Sequence, residues 1–385
     1  MITSPDYFDP ASLKVDDLKA LCAQTVNLDD YPYAVAVEKN ILIYDGDRLR
    51  ATVGDREKEQ ALKAELCRAL KGGPGVFVIK KGFADKSLID QHTALLQEIV
   101  AEEKEGSQGE GDHFGQNERV WNAIQKVCLK DPGAFLDYYS NPLIGIACEA
   151  WLGPHFQITA QMNNVKPGNK AQSSHRDYHL GFQSFQTTGR FPAHAQIMSQ
   201  YLTLQGAIVH GEMPLISGPT LFLPFSQQYD PGYLAYMRPE FRTYFDAEHV
   251  QLPLEKGDLV FFSPALFHGA GTNQGNTDRI ANLIQISSAF GRTMETIDNE
   301  KMIAAAYPVL LERVVSETMT PREVEDAIAA IGDGYSFPTN LDSDPPVGGN
   351  APETGQQLMG RALAERWPVE RLSSELAAYA KRRLA

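Results

Sequence analysis

The feature that most limits the fold of this chain is a series of short apolar runs within residues 155–290. Glycine, proline and asparagine, which favour turns, separate these runs. Most of the runs have the length of a strand and are too short for a typical helix. Such a series is typical of an antiparallel sandwich or barrel, and we therefore predict a β core here. The runs are FQITAQMNNV, HAQIMSQYLTLQGAIV, PTLFLPFS, DLVFFSP and RIANLIQISSAF.

The segments on either side of this core predict helices. Residues 10–31 and 56–71 have helical patterns, and the apolar runs and the Asp-Gly pair between them indicate a hairpin. Near the other end, TPREVEDAIAAIG begins with a capping box and stops at a glycine. We therefore predict one integrated domain with a mainly β core and helical additions. Its parts are an N-terminal helix and hairpin extension (1–71), the β core (72–295) and a helical C-terminal extension (296–385).

The charge of the chain argues against two classes of partner. With 35 Lys and Arg against 49 Asp and Glu, the formal net charge is −14, whereas nucleic acid and anionic membranes require a basic surface. The apolar runs are too short to cross a bilayer, and the first residues lack the basic end and apolar core of a signal peptide. We expect a cytoplasmic protein with a small-molecule substrate, without a nucleic-acid or membrane partner, and with an oligomeric state left open.

Three potential metal ligands alternate in the stretch AQSSHRDYHLGF, residues 171–182. They are His175, Asp177 and His179, and in an extended chain alternate side chains point to one face. These residues either bind a metal or form an ordinary polar strand face. The sequence alone, read at this stretch, does not choose between the two.

Residues further along the chain favour the metal. The apolar strand GDLVFFS leads to His268, and Arg279 follows eleven residues later, at the start of the next strand. Two histidines and one carboxylate are the facial ligand set of non-haem Fe(II) oxygenases, which leaves open positions for a co-substrate and dioxygen. The planar guanidinium of arginine suits the distal carboxylate of a dicarboxylate co-substrate. We therefore predict that His175, Asp177 and His268 form a catalytic metal site, with Arg279 as a co-substrate ligand.

Together these motifs resemble the phytanoyl-CoA dioxygenase family of Fe(II)- and 2-oxoglutarate-dependent oxygenases. The resemblance covers roughly residues 72–290 and includes GVFVIKKGF, similar to the family's opening strand, and SGPTLFLPFSQQY, between the two metal-binding strands. The family implies a double-stranded β-helix, or jelly roll, for the catalytic core, flanked here by N- and C-terminal helices. The chain departs from the family pattern at Gln227, where a histidine is usual, and at Ala270, where a polar residue often assists the arginine.

The resemblance also implies cofactors and further site residues. Fe(II), 2-oxoglutarate and O2 would serve the hydroxylation of a small-molecule metabolite at an unactivated C–H bond. Gln161 or Asn163, on the strand before His175, would supply a further hydrogen bond to the co-substrate. His179 would line the pocket, with a substrate contact and a structural role equally open. Asp177 occupies the position that related halogenases leave to chloride, so halogenation is not expected.

Several alternatives stay open at this point. A zinc-dependent hydrolase could use the same ligands to activate water, and a jelly roll that has lost turnover could bind a small molecule without reacting. Desaturation or ring formation could replace hydroxylation, and a CoA thioester substrate is not favoured, because the chain has no obvious basic cluster for its phosphates. The glycine-rich and acidic region 103–120 is either a lid over the site or a surface loop.

Overall fold

The centre of the protein is a mixed sheet of eight strands. A computed structural model describes residues 6–106, 117–346 and 348–384. The described residues form ten strands: β1 (Ala36–Glu38), β2 (Ile41–Asp45), β3 (Val76–Lys80), β4 (Glu118–Val120), β5 (Gln157–Val165), β6 (Thr203–Val209), β7 (Leu221–Phe222), β8 (Leu259–Phe262), β9 (His268–Gly269) and β10 (Arg279–Ser287). Eight of them form the main sheet, in the order β1-β2-β3-β8-β6-β10-β5-β4, and all neighbours in it are antiparallel except β2 and β3.

A second, smaller sheet supplies the other wall of the core. Strands β7 and β9 pair antiparallel, and an isolated bridge joins His175 to His268 at its side. Side chains from both sheets line one shared cavity of about 390 Å³. This arrangement is the jelly-roll core that the sequence resemblance implied.

Helices contribute more of the chain than the phrase "mainly β" suggests, so that part of the prediction was too narrow. They flank the sheet on its outer face and at both ends of the chain. The α-helices are α1 (Val15–Cys22), α2 (Gly46–Arg50), α3 (Arg56–Lys71), α4 (Lys86–Gly106), α5 (Ala123–Lys130), α6 (Pro132–Tyr139), α7 (Pro142–Leu152), α8 (Phe185–Thr188), α9 (Ala193–Ser199), α10 (Pro239–Glu248), α11 (Asn299–Val315), α12 (Pro321–Ile331), α13 (Gly355–Ala364) and α14 (Val369–Arg383).

One apolar cluster connects the N-terminal helices, the outer face of the sheet and the C-terminal helices. Its fully buried members include Leu66 in α3, Phe77 in β3, Ile284 in β10 and Tyr307 in α11. Burying such large apolar side chains is the main source of stability in a domain of this size. The division of the chain into an N-terminal extension, a core and a C-terminal extension, at residues 71 and 295, stays a proposal. Strands β1 and β2 of the N-terminal extension pair with the core through β3 and so extend the main sheet.

Local sequence signals were correct in some elements and wrong in others. Helix α3 ends where predicted, but within 10–31 only α1 is an α-helix. The Asp-Gly pair at 45–46 does not form the hairpin turn, because the Asp45 carboxylate caps α2 and the turn lies at 39–40. The run from 194, which the sequence predicts as a strand, contains α9 followed by β6.

Two further findings bear on the predicted surroundings of the protein. Among the described residues, none of the helices combines the length and the apolarity needed to cross a bilayer. The cysteines are free thiols, as their scattered spacing indicates. Residues 107–116, the centre of the possible lid or loop, lie outside the described residues.

Candidate metal and co-substrate site

The ring of His268 is fixed by regular backbone pairing. Strand β9 places it between the two sheets, where the residue is 4% exposed. Its Nδ1 lies 2.8 Å from the carbonyl oxygen of Leu266. A carbonyl oxygen only accepts hydrogen bonds, so Nδ1 carries the proton and Nε2 keeps a free lone pair. His268 therefore presents the nitrogen that a metal would bind.

His175 faces His268 from a segment that is not a regular strand. We call residues 171–182 the ligand segment. At His175 its backbone exchanges two hydrogen bonds with His268, of 2.9 and 3.2 Å. The His175 Nδ1 donates to the carbonyl oxygen of Ser173 at 2.9 Å, which again leaves Nε2 free. The centres of the two imidazole rings lie 4.5 Å apart.

The carboxylate of Asp177 completes a three-ligand cluster with these histidines. Its Oδ1 is 3.7 Å from Nε2 of His175, and its Oδ2 is 3.4 Å from Nε2 of His268. One ligand atom from each residue lies within 4.8 Å of the others. Burial would raise the pKa of Asp177, but the neighbouring histidines and the hydrogen bond from Gln205 lower it well below its ordinary value. Burial, with His268 nearby, lowers the pKa of His175. Both shifts favour the deprotonated forms of Asp177 and His175 that metals bind.

Two side chains of the main sheet, and Tyr233 outside it, hold the ligand segment at Asp177. Gln205 of β6 donates from Nε2 to the Asp177 Oδ2 at 2.5 Å. Gln285, opposite Gln205 in the register of β10, accepts a hydrogen bond from the hydroxyl of Tyr178. The Tyr233 hydroxyl donates to the Asp177 carbonyl at 3.2 Å. These contacts fix the carboxylate of Asp177, which lies outside the regular strands.

The expectation that His179 shares a strand face with His175 and Asp177 is wrong. The backbone turns at Tyr178 and His179, which have φ angles of 63° and 41°, and a 3-10 helix runs over His179–Phe182. Alternation of side chains needs an extended backbone and ends where that backbone turns. His179 is not among the described residues that line the cavity, and its role in substrate binding stays a prediction.

Arg279 lies in the same cavity, at the start of β10. It is 7% exposed, and its Nη1 donates to the carbonyl oxygens of Ser217 at 3.1 Å and Gly271 at 3.3 Å. Burial lowers the pKa of its guanidinium to about 10, so the group keeps its charge near neutral pH. Within the described part of the chain no carboxylate forms an ion pair with it, which leaves a buried cation in need of an anion.

Gln161 and Asn163 line the cavity on β5. The Gln161 Nε2 and the Asn163 Oδ1 are buried and have no hydrogen-bond partner among the described residues. Buried polar atoms without partners are uncommon, and a bound ligand or water often satisfies them.

Gln227, the departure from the family pattern, lies elsewhere: its Nε2 donates to the carbonyl oxygen of Gly73 at 2.8 Å.

Two parts of the site were missed from the sequence. Gln205 and Gln285 are polar residues within apolar strands, and that interruption was the available signal. Arg119, on β4, was included in a possible surface loop but lines the cavity together with Trp121. Most of the remaining wall is apolar and includes Val78, Met213, Leu252, Val260 and Leu283.

Comparisons with known proteins bear on this site. The family model described as phytanoyl-CoA dioxygenase (PhyH) matches residues 57–281, more than half of the chain. No curated protein matches the sequence.

Two solved structures are similar to this chain at low identity. The non-haem α-ketoglutarate-dependent carbocyclase SnoK from nogalamycin biosynthesis is 20% identical, with 60% of this chain and 86% of that chain covered and a TM-score of 0.45. The epimerase SnoN, in complex with Fe3+, α-ketoglutarate and nogalamycin RO, is 18% identical, with 61% and 85% covered and a TM-score of 0.43.

The match to the family model includes the residues whose geometry is described above. His175, Asp177 and His268 all fall within the matched residues, as does Arg279. The cofactors of the family, iron and 2-oxoglutarate, suit this donor set: two imidazole nitrogens, one carboxylate and a buried guanidinium. This chain therefore belongs to the phytanoyl-CoA dioxygenase family of Fe(II)- and 2-oxoglutarate-dependent oxygenases.

Proposed function

We propose that this protein hydroxylates a small-molecule metabolite at an unactivated C–H bond, with Fe(II), 2-oxoglutarate and O2. The observation that carries the proposal is the presence of two kinds of group in one cavity. Three metal-binding side chains converge there, and the same cavity contains the buried guanidinium of Arg279. A metal site alone would serve many reactions, whereas a buried cation beside it suits a dicarboxylate co-substrate.

The residues of the site have distinct roles in this proposal. His175, Asp177 and His268 would hold the iron, with the two histidines oriented by their Nδ1 hydrogen bonds. Bound iron, together with 2-oxoglutarate and O2, supplies the oxidation that a protein side chain cannot. The ligands also fit the ion chemically, because the protons are absent from the atoms that would face it.

The co-substrate would lie between the metal ligands and Arg279. The two carbonyl oxygens that accept from Arg279 Nη1 orient the guanidinium, and its remaining N–H groups can bind a carboxylate with two parallel bonds. Asn163 or Gln161 would supply a further hydrogen bond, since each has a buried polar atom without a partner among the described residues. Ala270 offers no such contact.

The apolar wall of the cavity would position the reacting part of the substrate and exclude water. A dry, shaped cavity is the contribution that a protein makes to metal-dependent oxidation. Asp177 fills the position that chloride would need, so we expect oxygenated products rather than chlorinated ones. Desaturation or ring formation depends on how the substrate is held and stays an alternative outcome.

Among the described residues that line the cavity, Asp177 is the only carboxylate. A zinc hydrolase using the same three ligands would need an additional general base to activate water. The cavity offers no second carboxylate within the described residues, and both of its histidines belong to the ligand set. This favours the oxygenase over the hydrolase. A binding protein without turnover would not need an open metal site, and it would not need Arg279 to be oriented beside that site.

The test is a screen for succinate release. Purified protein supplied with Fe(II), ascorbate and 2-oxoglutarate would be incubated with metabolite libraries, and we expect succinate in proportion to oxidised substrate. The Asp177→Ala variant is the matched control and should release none. Hydrolysis of ester or amide probes by zinc-loaded protein, with no succinate from the iron-loaded form, would support the hydrolase instead. Ligand binding without either reaction would support the binding protein.

A further inference from the structure

Arg176 lies between the metal ligands His175 and Asp177 in the sequence and is completely buried, with 0% of the residue exposed. It belongs to the residues around the cavity, but this burial means that its guanidinium is not open to the cavity. Arginine is rarely buried in full, because removing its charge from water is costly unless an anion pairs with it. A cation is therefore held between two metal ligands at a cost in stability.

Backbone carbonyl groups, and not carboxylates, bind this guanidinium. Its Nη2 donates to the carbonyl oxygens of Ser226 at 2.7 Å and Tyr229 at 2.8 Å. Asp230 acts on it electrostatically, but within the described residues no carboxylate forms an ion pair with Arg176. Its Nε and Nη1 have no hydrogen-bond partner among those residues. A methionine could fill the space without leaving donors unsatisfied, so stability alone does not account for an arginine here.

Two aromatic rings beside the guanidinium connect Arg176 with the surroundings of the metal ligands. The ring centre of Phe267 lies 5.1 Å from the guanidinium carbon, and that of Tyr233 lies 5.3 Å from it; both are cation–π distances. Phe267 directly precedes His268 in the sequence, and the Tyr233 hydroxyl donates to the carbonyl oxygen of Asp177. Arg176 is therefore joined to two of the ligands through the peptide chain and to the third through Phe267.

Ser226 makes a second connection to the strand that carries His268. Its carbonyl oxygen accepts from Arg176, and its hydroxyl oxygen accepts from the backbone amide of Phe267 at 2.8 Å. Ser226 is itself completely buried. Because both hydrogen bonds end on one buried residue, the guanidinium and strand β9 are held in one position relative to each other.

Glycines leave the space that Arg176 occupies. A Cβ atom at Gly232 would lie 1.9 Å from the guanidinium carbon, and one at Gly181 would lie 2.0 Å from the carbonyl oxygen of Arg176. Carbon atoms in favourable contact are about 3.5–4.0 Å apart. A side chain at either glycine would therefore displace Arg176, and at Gly232 it would displace the guanidinium itself.

We infer that Arg176 is a positioning residue of the metal site: its buried guanidinium holds the ligand segment against Ser226 and Phe267 and so fixes the three metal ligands relative to one another. This inference rests on the proposed function, because it concerns the same iron site, and it gives a role to a residue that would contact neither iron nor substrate. Residues that orient metal ligands typically contribute about 10- to 100-fold in metal affinity. We expect Arg176 to act near the lower end, since it reaches the third ligand only through neighbouring residues.

The experiment measures Fe(II) affinity by calorimetric titration under argon and the geometry of the site by the visible absorption of Co(II)-loaded protein. Arg176→Met removes the guanidinium but fills the space, and should bind Fe(II) roughly 10-fold more weakly with altered Co(II) bands. Arg176→Lys keeps the charge without the planar group and should retain part of the affinity. Gly232→Ala keeps Arg176 but displaces its guanidinium, and should also weaken Fe(II) binding.

Two control variants make matching changes away from the site. Arg313→Met removes a half-buried arginine that joins α11 to Asp137 of α6. Gly360→Ala adds a Cβ atom in open space on α13. Both should bind Fe(II) as the unaltered protein does, even where urea unfolding shows a change in stability.

The outcomes separate a positioning role from a purely structural one. A lower unfolding midpoint in Arg176→Met, with Fe(II) affinity and Co(II) absorption unchanged, would overturn the inference. Unchanged Fe(II) affinity in Gly232→Ala would overturn it as well, and this variant and Arg176→Lys decide the matter if Arg176→Met does not fold. If the unaltered protein binds no Fe(II), the proposed function fails and this inference with it, whereas equally tight binding by all variants refutes the inference alone.

Discussion

Helix α12 and the ligand segment are held in place by different kinds of contact. The start of α12 is closed by its own residues: the Thr320 hydroxyl accepts from the Glu323 amide, and the Glu323 carboxylate accepts from the Thr320 amide. The ligand segment depends on partners far away in the chain. His175 bonds to the backbone of His268, and Asp177 bonds to the side chain of Gln205.

Because the two regions depend on different contacts, we expect substitutions in α12 to affect stability and substitutions around the ligand segment to affect function. Contacts within α12 are local, so their loss should weaken folding and leave the cavity intact. Contacts of the ligand segment orient a buried carboxylate, so their loss should change the affinity for metal more than the free energy of unfolding. Substitutions that break this separation would show that the two regions are coupled through the core.

The largest effect is expected at the three metal ligands. Replacing His175, Asp177 or His268 by alanine should abolish Fe(II)-dependent turnover, because each residue supplies one part of a single site. The losses should not add, since any one of them removes the function. Iron affinity and circular dichroism are the measurements. Unaltered iron affinity and turnover in one variant would remove that residue from the ligand set.

The next largest effect concerns Arg279. In Arg279→Ala the Michaelis constant for 2-oxoglutarate should rise roughly 100-fold, because two charge-assisted hydrogen bonds are lost. Arg279→Lys keeps the charge without the planar fork and should give a smaller increase. High concentrations of 2-oxoglutarate should restore part of the activity, and iron affinity should change little. An unchanged Michaelis constant in Arg279→Ala would contradict the co-substrate assignment.

A smaller loss is expected from Gln205→Leu, which removes the amide beside Asp177. Partners of metal ligands typically contribute about 10- to 100-fold in metal affinity, and we expect a reduction near the lower end of that range. Gln196→Leu is the matched control, because it removes an equally buried amide in α9 that bonds only to carbonyl oxygens of Thr188 and Phe191 among the described residues. Calorimetric iron titration of both variants is the measurement. Equal iron affinity in the two would exclude a positioning role for Gln205.

The same contrast explains which features could be predicted from the sequence. Strands β5 and β10 follow from their apolar runs, and α12 from its capping residues, because those signals are local. The turn at Tyr178, which removes His179 from the expected strand face, is fixed by contacts with β10 and with residues of the 3-10 helix. Gln205 and Arg119 face the cavity only through strand register, which depends on pairing between distant segments. The polar interruption of an apolar run marks Gln205, but it does not indicate which partner strand or cavity that residue faces.

The smallest effect is expected at Thr320, and it tests the other side of the comparison. Thr320→Ala removes the hydroxyl that accepts from the Glu323 amide at 3.3 Å, while the hydrogen bond from the Thr320 amide to the Glu323 carboxylate can persist. Loss of a threonine N-cap typically costs about 1 kcal/mol of stability. Urea unfolding should therefore show a lower midpoint, whereas the affinities for iron and 2-oxoglutarate should stay as they are. Thr25→Ala, at an exposed position outside any helix or strand, is the matched control and should change neither. If Thr320→Ala weakened iron binding as much as it weakened folding, the metal site would depend on the C-terminal helices, and the separation between local and long-range contacts would not hold.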